Sequence, residues 1–64
     1  MEAVIQHENG LGERVTVTLL ISKVPSKRKL RNPGGFGNLV LRTKNGAWYS
    51  VPWKHVYSVH IRHS

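Results

Sequence analysis

Val15-Thr16-Val17-Thr18-Leu19-Leu20-Ile21-Ser22 alternates with period two: Val15, Val17, Leu19 and Ile21 share one face, and Thr16, Thr18, Leu20 and Ser22 share the other. A helix needs apolar residues three and four apart, and this stretch lacks that spacing. Alternation with β-branched enrichment reads as a β-strand with one buried face. At eight residues this uncharged apolar-leaning run is far short of the roughly 20 residues of a transmembrane helix. No membrane span is expected.

The pattern recurs on both sides. Residues 2 to 7, around Ala3-Val4-Ile5-Gln6-His7, form a strand ahead of Glu8-Asn9-Gly10-Leu11-Gly12-Glu13, a glycine turn that pairs them with residues 13 to 23; a frayed tail or a short helical turn is the alternative there. Downstream, Leu39 and Leu41 alternate with Asn38, Val40 and Arg42. Asn45-Gly46 then predicts a type I′ hairpin, because that turn needs positive φ at both central residues. Ala47 to Val51 returns as the partner strand, Pro52 interrupts, and Trp53-Lys54-His55 makes a tight corner. Val56 to Arg62 resumes with Tyr57, Val59 and Ile61 on one face, giving an expected three-strand meander in the C-terminal half. Between Val24 and Gly37, two prolines, three glycines and four basic residues read as a loop. The expectation is all-β: one domain over residues 1 to 64, a small five-stranded SH3-like or Sm-like barrel with a long basic loop between strands two and three. Edge strands left open in so small a barrel invite a homo-oligomer.

Charge is placed unevenly. Ten Lys and Arg against three Asp and Glu leave +7 in 64 residues, with a sequence pI near 10.7. Glu2, Glu8 and Glu13 are the only acids, so residues 14 to 64 hold every basic side chain and no carboxylate. Lys23, Lys27, Arg28, Lys29 and Arg31 fall within nine residues. Such a field attracts polyanions and is screened by salt. Nucleic acid is the expected partner, RNA ahead of DNA, by electrostatic capture followed by stacking. The rival is a small inhibitor or adaptor that grips an acidic protein surface with the same loop; a merely solvated basic loop is the plainest reading.

Other classes find little support. A chain this short buries only roughly 60% of its unfolded surface, which leaves little room for a wide catalytic cleft. No carboxylate follows Glu13, there is no Gly-X-Ser-X-Gly elbow, and there is no cysteine. No enzyme activity and no cofactor are expected. The cysteine count also excludes a disulfide framework or a zinc knuckle. His60 and His63, spaced three apart on or past a strand, do not share a face, so no metal site is expected and they read as a basic tail. The acidic start Met1-Glu2-Ala3 lacks the basic and apolar regions of a secretory signal, and the expected location is cytoplasmic.

The candidate binding residues form three groups. Lys27, Arg28, Lys29 and Arg31 can neutralise phosphates, and Asn32 can reach a base edge or sugar. Phe36, set between glycines, either stacks on a base or folds inward as a plug for the barrel end, the second reading being slightly favoured because this is the only phenylalanine. In the C-terminal half, Tyr49 shares parity with Val51 and points inward, which turns Trp48 outward beside Arg42 and Lys44. That arrangement is either a stacking platform with phosphate contacts or a cross-strand pair that only stabilises the sheet. Trp53, Lys54 and His55 form the third group: an ammonium beside an imidazole at a corner suits RNA, unless His55 merely caps the corner through a backbone carbonyl.

Trp53-Lys54-His55 followed by Val56-Tyr57-Ser58-Val59 resembles the second Sm motif of the bacterial Sm-like RNA chaperones of the Hfq type, in which an aromatic precedes a Lys-His pair and an apolar-X-Ser-apolar strand follows. Val4 to Gly10, ending in Asn9-Gly10, is similar to the first strand of their Sm1 motif, and Leu39 to Asn45 is similar to the third strand and its turn. The resemblance implies an Sm-like barrel in a ring, with Lys54 and His55 lining a central pore that binds uridine-rich RNA. The chain departs from the family in two places. No helix is readable before the first strand, and the basic Pro/Gly-rich loop replaces a tight turn between strands two and three.

Overall fold

A computed structural model describes residues 1–23 and 35–63, and alternation organises them throughout. Among the described residues the strands are β1 (Glu2–Glu8), β2 (Arg14–Leu20), β3 (Asn38–Arg42), β4 (Trp48–Pro52) and β5 (Val56–Arg62), and a 3₁₀ turn, Trp53–His55, lies between the last two. The fold class is all-β, and the described residues contain no α-helix.

β1 is the central strand of a three-stranded antiparallel sheet in the order β2-β1-β5. Its alternation points Ala3, Ile5 and His7 inward, and register places an apolar residue on each side of every one. Ala3 lies between Leu19 and Ile61, Ile5 between Val17 and Val59, and His7 between Val15 and Val56. Because side chains alternate strictly, a one-residue slip would throw each row to the solvent face, so the register is strongly specified.

This pairing corrects the expected C-terminal meander. β5 joins β1 rather than β4, because its inward residues Val56, Val59 and Ile61 complete the rows that β1 begins. The register shifts between Gln6 and His7: Gln6 faces Ser58 and His7 faces Val56, which leaves Tyr57 as an extra residue. A bulge reverses side-chain parity locally. Tyr57 accordingly stands outside and not on the face of Val59 and Ile61, and Arg14 Cζ lies 4.5 Å from its ring centroid.

β3 and β4 pair antiparallel as a separate two-stranded sheet, with Leu39 opposite Val51 and Leu41 opposite Tyr49 on the inner face. The five described strands therefore form two small sheets and not a closed barrel, since closure requires every strand to have two ladder partners. The sheets share one core of Ala3, Ile5, Ile21, Leu39, Leu41, Val51, Trp53 and Val56. A backbone bond from Lys44 N to the Leu20 carbonyl, 2.7 Å, ties the end of β2 to the β3–β4 turn. Burying a side chain such as Ile5 or Leu39 contributes about 1.5–3 kcal/mol, a large share of what a domain this small can have.

The two hairpins use one turn design, and it is not the type I′ turn expected at Asn45-Gly46. Gly12 N bonds the Asn9 carbonyl at 3.1 Å and Gly46 N bonds the Thr43 carbonyl at 3.0 Å; each hairpin closes with Asn9 N to the Glu13 carbonyl or Thr43 N to the Ala47 carbonyl. Positive φ falls on Gly12 (77°) and Gly46 (91°), and no described non-glycine residue has it. These are three-residue loops, a type I turn followed by a left-handed glycine. Asn9 Oδ1 accepts from the backbone N–H groups of Leu11 and Glu13, and Asn45 Oδ1 accepts from Ala47 N and from the Thr43 hydroxyl, so each asparagine holds its turn from the side chain.

Candidate nucleic-acid interface

The outer face of β3 and β4 carries Asn38, Val40 and Arg42 against Pro52, Ser50 and Trp48 in register. Arg42 and Trp48 are direct cross-strand partners, and Arg42 Cζ lies 5.4 Å from the indole centroid. Trp48 is 66% exposed while Tyr49 is half-buried, as alternation with Val51 predicts. A guanidinium held against an exposed indole is a ready surface for a base and its phosphate.

At one end of this face, Phe36 and Lys54 share a groove of ≈ 430 Å³ with Gly35, Gly37, Asn38 and Pro52. Gly37 adopts φ 84°, and its carbonyl accepts from Trp53 N at 3.0 Å, which extends the β3–β4 ladder by one bond. The chain entering β3 is thereby turned so that Phe36 is 98% exposed. The favoured plug reading of Phe36 is overturned: Val51, Trp53 and Val56 fill the interior near that end. At the other end, Lys23, Arg42, Lys44 and Trp48 line a second groove of ≈ 440 Å³ beside the β3–β4 turn.

Carboxylates are segregated from this face. Glu2 and Glu8 lie on β1 and Glu13 closes the β1–β2 turn, so every acid belongs to the three-stranded sheet. Arg14 is committed on that side: its Nη2 donates to Gln6 Oε1 at 2.7 Å while the guanidinium covers Tyr57.

The Trp53-Lys54-His55 corner divides into three different environments. Trp53 is 5% exposed and belongs to the core, so its assignment as a binding residue is corrected: a ring buried between two sheets cannot stack on a base. Lys54 is exposed and turns toward Phe36 and Asn38. His55 points the other way, with Nδ1 3.5 Å from Glu8 Oε2. The one-turn 3₁₀ geometry rotates neighbouring side chains about 120° apart, which separates the two polar residues. His55 thus neither joins Lys54 on one surface nor caps the corner through a carbonyl.

His7, which sequence reasoning left aside, couples the two sheets. It is 8% exposed, its Nδ1–H donates to the Glu8 carbonyl at 2.9 Å, and its Nε2 lies 2.7 Å from the Tyr49 hydroxyl, which donates to it in the neutral ring. Burial pushes the Tyr49 hydroxyl above its ordinary value of 10.0.

No family model matches the chain, and no curated protein or solved structure matches it either.

The structure thus brings together Arg42, Lys44 and Trp48, and separately Phe36 and Lys54; Lys27, Arg28, Lys29, Arg31 and Asn32 lie outside the described residues. Sequence reasoning counted Lys23 in the basic run without placing it, and omitted Asn38. Lys23 follows β2 at the point where Leu20 meets Lys44, a juxtaposition that local periodicity does not contain.

Proposed function

We propose that this chain is a small nucleic-acid-binding protein, favouring RNA or other single strands, which captures the phosphate backbone electrostatically and stacks unpaired bases on the outer face of β3 and β4. The observation that carries the reading is the Arg42–Trp48 pair on a sheet face from which every carboxylate is absent. Phe36 and Lys54 repeat the aromatic-plus-cation combination at the far end of the same face. Trp48 and Pro52, at opposite ends of β4, are four residues apart, or about 13 Å along a strand, so the face accommodates more than one nucleotide. Exposed aromatics interleaved with cations are how single strands are held without sequence readout.

The resemblance to the Sm-like family extends this proposal to an Sm-like arrangement of the two sheets and to self-association through open strand edges. The shared core of the two sheets and the corner between β4 and β5 support the first part; the outer edges of β2 and β5, which have no ladder partner among the described residues, support the second.

The test is tryptophan fluorescence of the purified protein titrated with uridine-rich RNA, mixed single-stranded DNA and duplex DNA at two salt concentrations. Single strands are expected to quench Trp48 with RNA preferred, and log affinity is expected to fall linearly with log salt. Indifference to all three at near-physiological salt overturns the reading in favour of an acidic protein partner.

A further inference from the structure

We infer that the groove between Ser22–Lys23 and the β3–β4 turn is a subsite for one phosphorylated nucleoside, its base against Trp48 and its phosphate held by Lys23 and Lys44. The inference deepens the proposed function and rests on it for the ligand class.

The groove lies between the β3–β4 hairpin and the segment that follows β2. Its ≈ 440 Å³ falls in the roughly 300–1,000 Å³ range of small-ligand sites. Ile21 and Leu41, each 2% exposed, contribute a buried apolar floor, with Val40 beside them. Cations come from three separate points of the chain: Lys23 after β2, Arg42 at the end of β3, and Lys44 in the turn. Among the described residues, no carboxylate lines it.

Two features adapt these walls to a nucleotide rather than to any anion. First, Trp48 is the only aromatic among the described residues lining this groove, and Arg42 lies against its ring, so an entering base meets an indole and a guanidinium plane together. Lys23 and Lys44 remain as point charges for a phosphate, and the Ser22 hydroxyl adds a neutral donor and acceptor for a sugar. Second, the walls are held in place before any ligand arrives. The Lys44 N bond to the Leu20 carbonyl joins β2 to the turn, and the Gly46 N bond to the Thr43 carbonyl fixes the turn itself. Preorganisation lowers the ordering cost of binding.

Neither of two other grooves has this combination. Among the described residues, the one along Thr18, Leu19 and Leu20 has a single lysine and no aromatic, and the Phe36 groove has a single lysine. Stacking also demands an unpaired base, since bases inside a duplex have both faces covered. A phosphorylated nucleoside reaches the groove either as a free nucleotide or as one unit of a single strand, and the test has an arm for each.

The experiment is ¹H–¹⁵N NMR titration of the full chain with AMP, with adenosine, and with a single-stranded oligoadenylate. The exposed Trp48 and buried Trp53 indole N–H signals are told apart in a Trp48→Phe variant. AMP is expected to shift the Trp48 indole and the amides of Ser22, Lys23 and Lys44 saturably, while adenosine binds at least about tenfold more weakly for want of the charge-assisted contacts. Lys23→Ala combined with Lys44→Ala is expected to erase that difference with the spectrum still folded, both side chains being exposed. Equal binding of AMP and adenosine, or shifts clustered elsewhere, overturns the subsite. An oligoadenylate that binds while AMP up to millimolar concentration does not also overturns it and leaves the proposed function standing. AMP binding without oligoadenylate binding assigns the subsite to free nucleotides and overturns its place in single-strand binding, while the proposed function is decided by the uridine-rich RNA and single-stranded DNA titrations. Silence from both ligands overturns the subsite.

Discussion

The Tyr49 hydroxyl meets His7 Nε2 at 2.7 Å, so a residue on β4 and a residue on β1 close a polar contact between the two sheets. No ladder joins those strands, which makes this the polar counterpart of the shared apolar core. Tyr49→Phe keeps the ring but leaves a buried imidazole nitrogen without its partner, at an expected cost of about 1–3 kcal/mol. In a domain of this size that corresponds to roughly 4–8 °C of Tm per kcal/mol. Thermal unfolding followed by circular dichroism reads it directly, and an unchanged Tm removes the contact from the account of sheet docking.

The same residue sets a pH dependence. Burial raises the Tyr49 hydroxyl above 10.0, so the folded state favours the neutral phenol more than the unfolded chain does. The unfolded state therefore loses its proton first. The stabilisation is fully present below pH 10.0 and is lost as pH rises from there through the higher folded value. Urea midpoints measured from pH 8 upward are expected to fall more steeply in the natural chain than in Tyr49→Phe; parallel curves contradict the assignment.

Two glycines in one turn make opposite predictions. Gly12 has φ 77°, where an L side chain is strained, and Gly12→Ala is expected to destabilise by about 1–2 kcal/mol. Gly10 does not have positive φ, and a Cβ built there meets nothing within 4 Å. Gly10→Ala is therefore expected to be neutral or to stabilise by up to about 1 kcal/mol through the unfolded chain. Denaturant midpoints for the pair decide whether the turn is the three-residue loop or the type I′ turn that Asn9-Gly10 suggests by itself.

That turn also shows where the sequence is legible and where it stops. Alternation in residues 15–22 and 39–51 locates strands and places Trp48 outside and Tyr49 inside, because side-chain direction is a local property. The partner of β5 is not local. It depends on Val56, Val59 and Ile61 completing rows set by Ala3, Ile5 and His7, far away in the chain, and on a bulge at Tyr57 that breaks the very periodicity used to read the strand. Trp53 misleads for a related reason: beside Lys54 and His55 it looks like part of a binding motif, yet its spacing to Val56, three residues on across a 3₁₀ turn, is the signal that both are buried. The charge asymmetry, by contrast, transfers without loss, because every acid precedes Arg14 in the chain and the β1–β2 hairpin keeps them together.

Trp48→Ala is expected to weaken single-strand binding by about 1–3 kcal/mol, or roughly 5–150-fold, with little change in stability, because the ring is 66% exposed. Changing Lys27, Arg28, Lys29 and Arg31 together to Ala is expected to act differently, lowering the log-log salt slope by up to about 0.7 for each single-strand phosphate that is no longer neutralised. Fluorescence anisotropy of a labelled RNA across a salt series separates the two. Equal slopes for the quadruple variant and the natural chain sink the role of that segment.

Lys54 and His55 provide the sharpest test of the Sm-like resemblance. As a pair lining one pore, they should lose RNA affinity together on substitution, and each single change should approach the effect of the double. The geometry gives them separate duties: Lys54 faces Phe36 and Asn38 on the proposed binding face, whereas His55 faces Glu8 on the three-stranded sheet. Lys54→Ala is accordingly expected to weaken RNA binding and reduce the salt slope by about 0.7. His55→Ala is expected to leave affinity within about twofold and to change stability by no more than about 1 kcal/mol, because both side chains of its contact with Glu8 are largely solvated. Anisotropy titrations of the two single variants and the double complete a thermodynamic cycle. Additive losses confined to Lys54 support the divergent arrangement. A large loss in His55→Ala, coupled to that of Lys54→Ala, requires the imidazole to leave Glu8 for the RNA and restores the paired site that the resemblance implies.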